Sequence, residues 1–174
     1  MTSHVMRTFE HATSDLADTS VMVTGGTGSF GRSFVRYLLA HNPPRRLVVF
    51  SRDEQKQETM ARELQATMPT QFDRLRFFIG DVRDVSRLEL AMRDISIVVH
   101  AAALKIIPTA EYNPFECILT NVHGAENVVK AALRTTVKKV ISLSTDKAAN
   151  PINLYGASKL ARSEERRVGK ECRL

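Results

Sequence analysis

The sequence predicts an α/β protein built as a Rossmann-like, doubly wound parallel sheet. Three observations lead there. Short, continuous apolar runs alternate with longer stretches of helical periodicity, the pattern of strands buried under helices on both faces. A glycine-rich turn, Thr24-Gly25-Gly26-Thr27-Gly28-Ser29-Phe30-Gly31, joins the first apolar run to the first helical stretch. The fifth apolar run passes into Ser144-Thr145-Asp146-Lys147, and Tyr155 and Lys159 follow at helical spacing.

The elements are expected in this order. Ser20 to Thr24 is apolar and ends in glycines, so it reads as a buried strand. Ser29 to Ala40 places Phe30, Phe34, Val35, Leu38 and Leu39 on one helical face and stops before Asn42-Pro43-Pro44. Arg46 to Ser51 is the second strand, and Asp53 to Thr67 a polar helix ended by Pro69. Leu75 to Ile79 is the third strand, closed by Gly80. Val85 to Met92 is a helix with Asp84 at its N-cap. Ile95 to His100 is the fourth strand, running into Ala101-Ala102-Ala103. Pro114 to Arg134 reads as one long helix with its proline at the first position. Val137 to Leu143 is the fifth strand.

Bulk properties fit one domain. The chain has 174 residues, 43% hydrophobic and 25% charged. Its net charge of +6 is scattered and lacks an aromatic-plus-basic strip, so nucleic acid is not an expected partner. Two cysteines form neither a disulfide framework nor a metal-ligand spacing, so no metal is expected and a reducing, cytoplasmic setting is. Nothing approaches the length of a membrane span, and residues 1–18 lack the apolar core of a secretory signal. Those residues are expected to form a flexible leader, with the dinucleotide-binding domain over residues 19–161. The remaining residues, 162–174, back-translate into a string resembling a sequencing adapter read in frame. The native sequence is therefore expected to stop near Ala161, truncating the fold at its C-terminal side.

The glycine turn satisfies G-x-x-G-x-x-G and G-x-G-x-x-G at once, between a strand and a helix as a dinucleotide site requires. Glycines let the backbone approach a pyrophosphate, and the helix N-terminus offers N–H groups and partial positive charge. Gly25, Thr27, Gly28, Ser29, Phe30 and Gly31 are assigned to this turn. The end of the second strand selects the cofactor. Ser51, Arg52 and Lys56 suit a 2′-phosphate and favour NADP, whereas Asp53 holding a ribose would favour NAD. Asp81, with Val82 beside it, is assigned to the adenine. Ala101, Ala102 and Ala103 are small enough for a cofactor to pass over them. Lys105 follows the alanines and is assigned to the same crevice, lining its sugar end, with a solvated lysine as the alternative reading.

In a helix Tyr155 and Lys159 share one face. With the hydroxyl, carboxylic acid and amine of Thr145, Asp146 and Lys147, they form equipment for moving a hydride off a carbinol carbon while shuttling protons. Taken singly, the first three are a polar loop and the last two a surface helix pair. Both falling just after the fifth strand, downstream of a dinucleotide turn, favour chemistry. His100, His123 and Cys117 read as packing or structural residues, and Asn121 as a brace for the site.

These residues resemble the extended short-chain dehydrogenase/reductases, and more narrowly the UDP-N-acetylglucosamine 4,6-dehydratases of the soluble, C5-inverting type that opens pseudaminic acid synthesis. The matching pieces include Thr24–Gly31, Ser51-Arg52-Asp53-Glu54, Gly80–Asp84, His100–Lys105, Thr120–Gly124 and Ser144–Lys159. The resemblance implies an NADP-dependent enzyme with a UDP-sugar substrate, homo-oligomeric when complete. Tyr155 would take the O4 proton, with Lys159 beside it lowering the cost of about 4 kcal/mol of using a phenol near pH 7. Thr145 would hydrogen-bond O4, Asp146 would protonate the departing C6 hydroxyl, and Lys147, as a neutral and hence desolvated amine, would be the base at C5. Two rivals stay open: a nucleotide-sugar epimerase on the same fold, and a catalytically silent dinucleotide-binding fragment.

Overall fold

A computed structural model describes residues 15–171, with side chains from 15 to 163. Most of the expected leader and the end of the expected foreign tail lie outside the described residues. Within the leader, Leu16 is in place: its N–H donates to Asn42 Oδ1 at 3.1 Å and its side chain packs on the core.

Five parallel strands form one sheet: β1 (Ser20–Thr24), β2 (Arg46–Ser51), β3 (Leu75–Ile79), β4 (Ile97–His100) and β5 (Lys139–Ser142). Their spatial order is β3-β2-β1-β4-β5. The chain thus winds outward from β1 in one direction and then in the other, and the order reverses between β1 and β4. In open α/β sheets a ligand crevice forms at such a switch point, beyond the carboxyl ends of the strands.

Strand alternation sends side chains to two separate cores. On one face Val21, Val23, Leu47, Val49 and Val99 pack against Val35, Leu38 and Leu39 of α1 (Ser29–His41) and Met60 and Leu64 of α2 (Glu54–Thr67). On the other, Met22, Val48, Phe50 and Val98 pack against Leu88 and Met92 at α4 (Val85–Ala91) and Val128, Ala131 and Ala132 of α7 (Gly124–Leu133). Covered on both faces, β1 can be apolar at every position that the periodicity marked. Arg32 and Arg36 of α1 both reach Glu63 of α2 and tie the two helices together. A short helix not expected from sequence, α3 (Pro69–Phe72), caps the α2–β3 connection.

Several boundaries differ from the expected ones. Strand β4 begins at Ile97 rather than Ile95, because Asp94 turns the chain with a φ of 57°. Strand β5 is shorter than expected, and Ile141 on it is 45% exposed. Another short helix, α5 (Ile107–Tyr112), follows the alanines. The single long helix expected from Pro114 is three segments: α6 (Pro114–Ile118), one π-helical turn (Leu119–His123), then α7. Gly124 follows the wide turn where a Cβ would lie 2.7 Å from Val82, so close packing against that loop excludes a side chain there. A 3₁₀ turn, Asp146–Ala148, precedes α8 (Leu154–Glu171), which carries Tyr155 and Lys159 and continues past Ala161. Among the described residues no helix is long and apolar enough to cross a membrane.

Candidate active site

A crevice of about 470 Å³ opens at the switch point. Gly25, Thr27, Gly28, Ser29, Phe30 and Gly31 line it from the β1–α1 turn, and Ser51, Arg52 and Lys56 from the end of β2 and start of α2. Asp81 and Val82 follow β3, Ala101, Ala102, Ala103 and Lys105 follow β4, and Tyr155 and Lys159 face in from α8. Every residue assigned to the cofactor from sequence therefore borders one space.

The turn is shaped by what its glycines leave out. Gly25 has a φ of 66°, and a Cβ on it would lie 2.8 Å from the backbone of Ala102, so the turn sits directly against the alanine segment. At Gly31 a Cβ would meet Gly25 O at 2.5 Å, which brings α1 hard against the turn. Gly28 differs: a Cβ there would have only Gly25 O nearby, at 3.2 Å, and otherwise open space. It is also the N-cap of α1, with no side chain covering the helix end, so the first-turn N–H groups are presented to the crevice. A glycine backbone at an uncapped helix N-terminus fits a pyrophosphate.

At the far end both cations already face carboxylates. Arg52 Nη1 lies 3.4 Å from Asp81 Oδ2, and Lys56 Nζ lies 3.1 Å from Asp53 Oδ2. Asp53 caps α2 by accepting from the Lys56 N–H at 2.9 Å, and that bond, with the Lys56 charge, holds its carboxyl below the usual range. Burial pushes the Asp81 carboxyl up, but hydrogen bonds from Arg83 and the charges of Arg83 and Arg52 outweigh it and hold the group low. The Ser51 hydroxyl accepts from Gln57 Nε2 at 3.1 Å.

Helix α8 brings the phenol and one amine together. Lys159 is 4% exposed, with Nζ 5.8 Å from the centroid of the Tyr155 ring. Burial, reinforced by the charge of Arg162, pushes the amine down to about 7. A brace holds this end of the helix. Asn121, fully buried on the π-helical turn, accepts from Leu104 N–H at 2.8 Å and donates to Leu104 O at 2.9 Å and to Ser158 Oγ at 2.9 Å. One carboxamide thus joins the segment after β4 to the turn of α8 between Tyr155 and Lys159.

Thr145, Asp146 and Lys147 are not among the residues lining the crevice; Leu143 and Ser144, just before them, are. Thr145 donates to Asp146 Oδ1 at 2.9 Å, and Lys147 Nζ stands 3.6 Å from the same oxygen. The Thr145 hydrogen bond and the Lys147 charge hold the Asp146 carboxyl below its ordinary value. Asp146 is 87% exposed at its side chain and Lys147 48%, so the desolvation expected of a neutral lysine at position 147 is found at Lys159 instead. Sequence reasoning also passed over Thr120, whose buried hydroxyl lines the crevice without a protein partner. Its neighbour Asn121 was the available signal, but regular helical spacing does not place side chains around a π turn. His100 is buried with Nδ1 2.7 Å from Thr24 Oγ1, and burial pushes it down to about 3, so it is neutral in the folded protein. Among the described residues no His, Cys, Asp and Glu cluster is arranged to hold a metal.

A doubly wound sheet with a glycine crevice at its switch point and a Tyr–Lys helix beside it defines an extended short-chain dehydrogenase/reductase. Within that class, the chain belongs to the polysaccharide biosynthesis protein family, whose sequence profile matches residues 21–168. It is 54% identical over 142 residues to a UDP-N-acetylglucosamine 4,6-dehydratase (inverting) of Campylobacter jejuni subsp. jejuni, a match covering 82% of this chain and 41% of that protein. It is 50% identical over 145 residues to a UDP-glucose 4-epimerase of Rickettsia akari, again covering 82% of this chain and 41% of the relative. Its fold matches DesIV, a dTDP-glucose 4,6-dehydratase from Streptomyces venezuelae solved with NAD and TYD, with a TM-score of 0.73 and 26% identity over 87% of this chain and 53% of that one. The chain spans about two fifths of the length of the curated relatives it matches.

Proposed function

We propose that this chain is the cofactor-binding part of an NADP-dependent nucleotide-sugar 4,6-dehydratase acting on UDP-N-acetylglucosamine, with inversion at C5. One observation carries the reading: a glycine turn from the start of the fold, and Tyr155 with the buried Lys159 from its last helix, border the same crevice. The similarity to an inverting dehydratase supports the substrate class. The Rickettsia relative keeps a C4 epimerase as the second reading.

The glycine turn and the N-terminus of α1 would hold the pyrophosphate, and Thr120 offers a hydroxyl to the same occupant. Ser51, Arg52 and Lys56 would hold the 2′-phosphate. Engagement of Asp53 as a helix cap supports NADP over NAD, since both its carboxylate oxygens already contact Lys56. When bound, the nicotinamide supplies a hydride acceptor for C4 and later a donor for C6. The remaining work belongs to side chains. Tyr155 accepts the O4 proton, and a Lys159 amine poised near neutrality stabilises the phenolate when protonated. Thr145 hydrogen-bonds O4. Once C4 is a ketone the C5 proton is acidic, and Lys147 removes it while Asp146 protonates the leaving C6 hydroxyl. Acting as an acid requires the Asp146 pKa to rise, which burial beneath a sugar would bring. Protonation of C5 from the face opposite Lys147 gives inversion.

The chain has no tryptophan, so NADPH emission can be followed without interference. Titration should give tighter binding of NADPH than of NADH, and Arg52→Ala should reduce that preference at least tenfold, or about 1.4 kcal/mol. Equal affinity for both cofactors would defeat the NADP assignment; no binding of either would defeat the site. For the complete enzyme in D₂O, loss of water from C6 with deuterium at C5 is expected. A C4 epimer without water loss would favour the second reading.

A further inference from the structure

Below the crevice, the carboxyl ends of three strands carry a polar row. Thr24, His100 and Ser142 are register partners across β1, β4 and β5. Alternation places all three on the face of Met22, Val98 and Val140, two residues earlier, which packs under α4 and α7. Thr24 Oγ1 and His100 Nδ1 share a hydrogen bond of 2.7 Å. The row then breaks: His100 Nε2 and Ser142 Oγ are both buried, and neither meets a protein partner. His100 is 1% exposed and neutral, so its Nε2 is a buried donor or acceptor in either tautomer.

Both residues line a cleft of about 160 Å³ that is separate from the crevice. Val122, Val128 and Val140 form much of its wall, Arg162 of α8 lines it too, and His123 and Glu126 stand at its exposed side. A buried polar atom with no partner is strongly disfavoured, and two on adjacent strands facing one cleft need a shared partner. A water molecule occupies roughly 30 Å³ in the liquid and bonds to two to four polar groups. The cleft has that room, and the two atoms supply two such groups.

We propose that this cleft is a binding site for a resident water that bridges His100 Nε2 and Ser142 Oγ and completes the row from β1 to β5. Its place gives it a structural task. Strand β5 is short and lies at the edge of the sheet, and Leu143 and Ser144, which line the crevice, follow Ser142 directly. The Leu143 N–H donates to His100 O at 3.2 Å, so the row and this backbone bond together set where the crevice floor ends. The inference does not depend on which reaction the crevice serves.

Ser142→Val separates a wet cleft from a dry one. One methyl replaces the hydroxyl and a second intrudes on the cleft. With a resident water, the substitution removes one of its two anchors and leaves His100 Nε2 poorly served, so the melting temperature should fall by about 2–10 °C. In a His100→Asn background an amide still reaches Thr24 but nothing replaces Nε2, so the loss caused by Ser142→Val should shrink. A rise in melting temperature on Ser142→Val, as for filling a dry apolar cavity, would overturn the proposal. A direct measurement stands beside the variants. A crystal structure of the unsubstituted chain should show one density peak within hydrogen-bond distance of both atoms; xenon in the cleft with no such peak would refute the site.

Discussion

Lys159 and His100 are ionisable side chains that the fold pushes in the same direction, towards the neutral form. The Lys159 amine sits at about 7 in the folded protein against an ordinary 10.5, chiefly because it is buried. The folded state then binds fewer protons than the unfolded one between those values, so this residue makes stability rise with pH from about 7 to 10.5, and its full cost is present below 7. Lys159→Met should flatten that rise; urea midpoints measured across the interval test it, and an unchanged slope would show that the amine is not desolvated. His100 works in a lower window. Its folded value of about 3 lies below the ordinary 6.5, so its contribution is intact above 6.5 and is lost as pH falls towards 3. Asn121 acts through hydrogen bonds instead. Asn121→Ala would leave Leu104 N–H, Leu104 O and Ser158 Oγ without their shared partner, and a loss of about 2 kcal/mol or more in denaturant unfolding is expected. His100 and Asn121 could be named from sequence as packing and bracing residues, but not what they touch: Thr24 lies 76 positions from His100, and Leu104 and Ser158 lie 17 and 37 from Asn121.

At the scale of elements, the β1–α1 turn separates folding from binding. Gly25 has positive φ and no room for a methyl, so Gly25→Ala should lower stability and binding together. Gly28 has negative φ and one close neighbour, Gly25 O at 3.2 Å from a Cβ, so Gly28→Ala should lower the melting temperature far less than Gly25→Ala while weakening dinucleotide binding at least tenfold, because the added methyl stands where the pyrophosphate would approach. A Gly28→Ala protein that binds NADPH normally would remove the turn from the site. The π-helical turn is the element sequence reasoning lost. The stretch from Pro114 to Arg134 reads as one helix, and a helix is largely what forms. The one-residue widening at Leu119–His123 answers to Asn121 bonding Leu104 and to Gly124 packing on Val82. Both are contacts with distant segments, and no local periodicity records them.

For the whole molecule, the sheet joins the groups proposed to hold a cofactor, while the proposed acid and base, Asp146 and Lys147, stand in water paired to each other. The 174-residue chain should therefore bind NADPH and yet form no 4-keto-6-deoxy product from UDP-N-acetylglucosamine, as read by NMR of the reaction mixture. Product formed by this chain alone would show that the exposed pair is sufficient. Ion pairing at the far end of the crevice adds a second whole-molecule effect. Arg52 and Lys56 must share their charge between a phosphate and the carboxylates of Asp81 and Asp53, so binding of NADPH should weaken as salt is added more steeply than binding of NADH.

By itself the sequence determined the order of strands and helices, the glycine turn and the position of Tyr155 and Lys159 on a helix. Each is written in spacing between near neighbours, through the periods of helix and strand and the freedom of glycine. Only the tertiary structure decided that Lys159 rather than Lys147 is the desolvated amine, that Arg52 faces Asp81, that Thr120 joins the crevice, and that His100 and Ser142 share a cleft. Burial and charge pairing depend on which distant segments the sheet sets side by side, and that is a property of the packed fold rather than of any local stretch of chain.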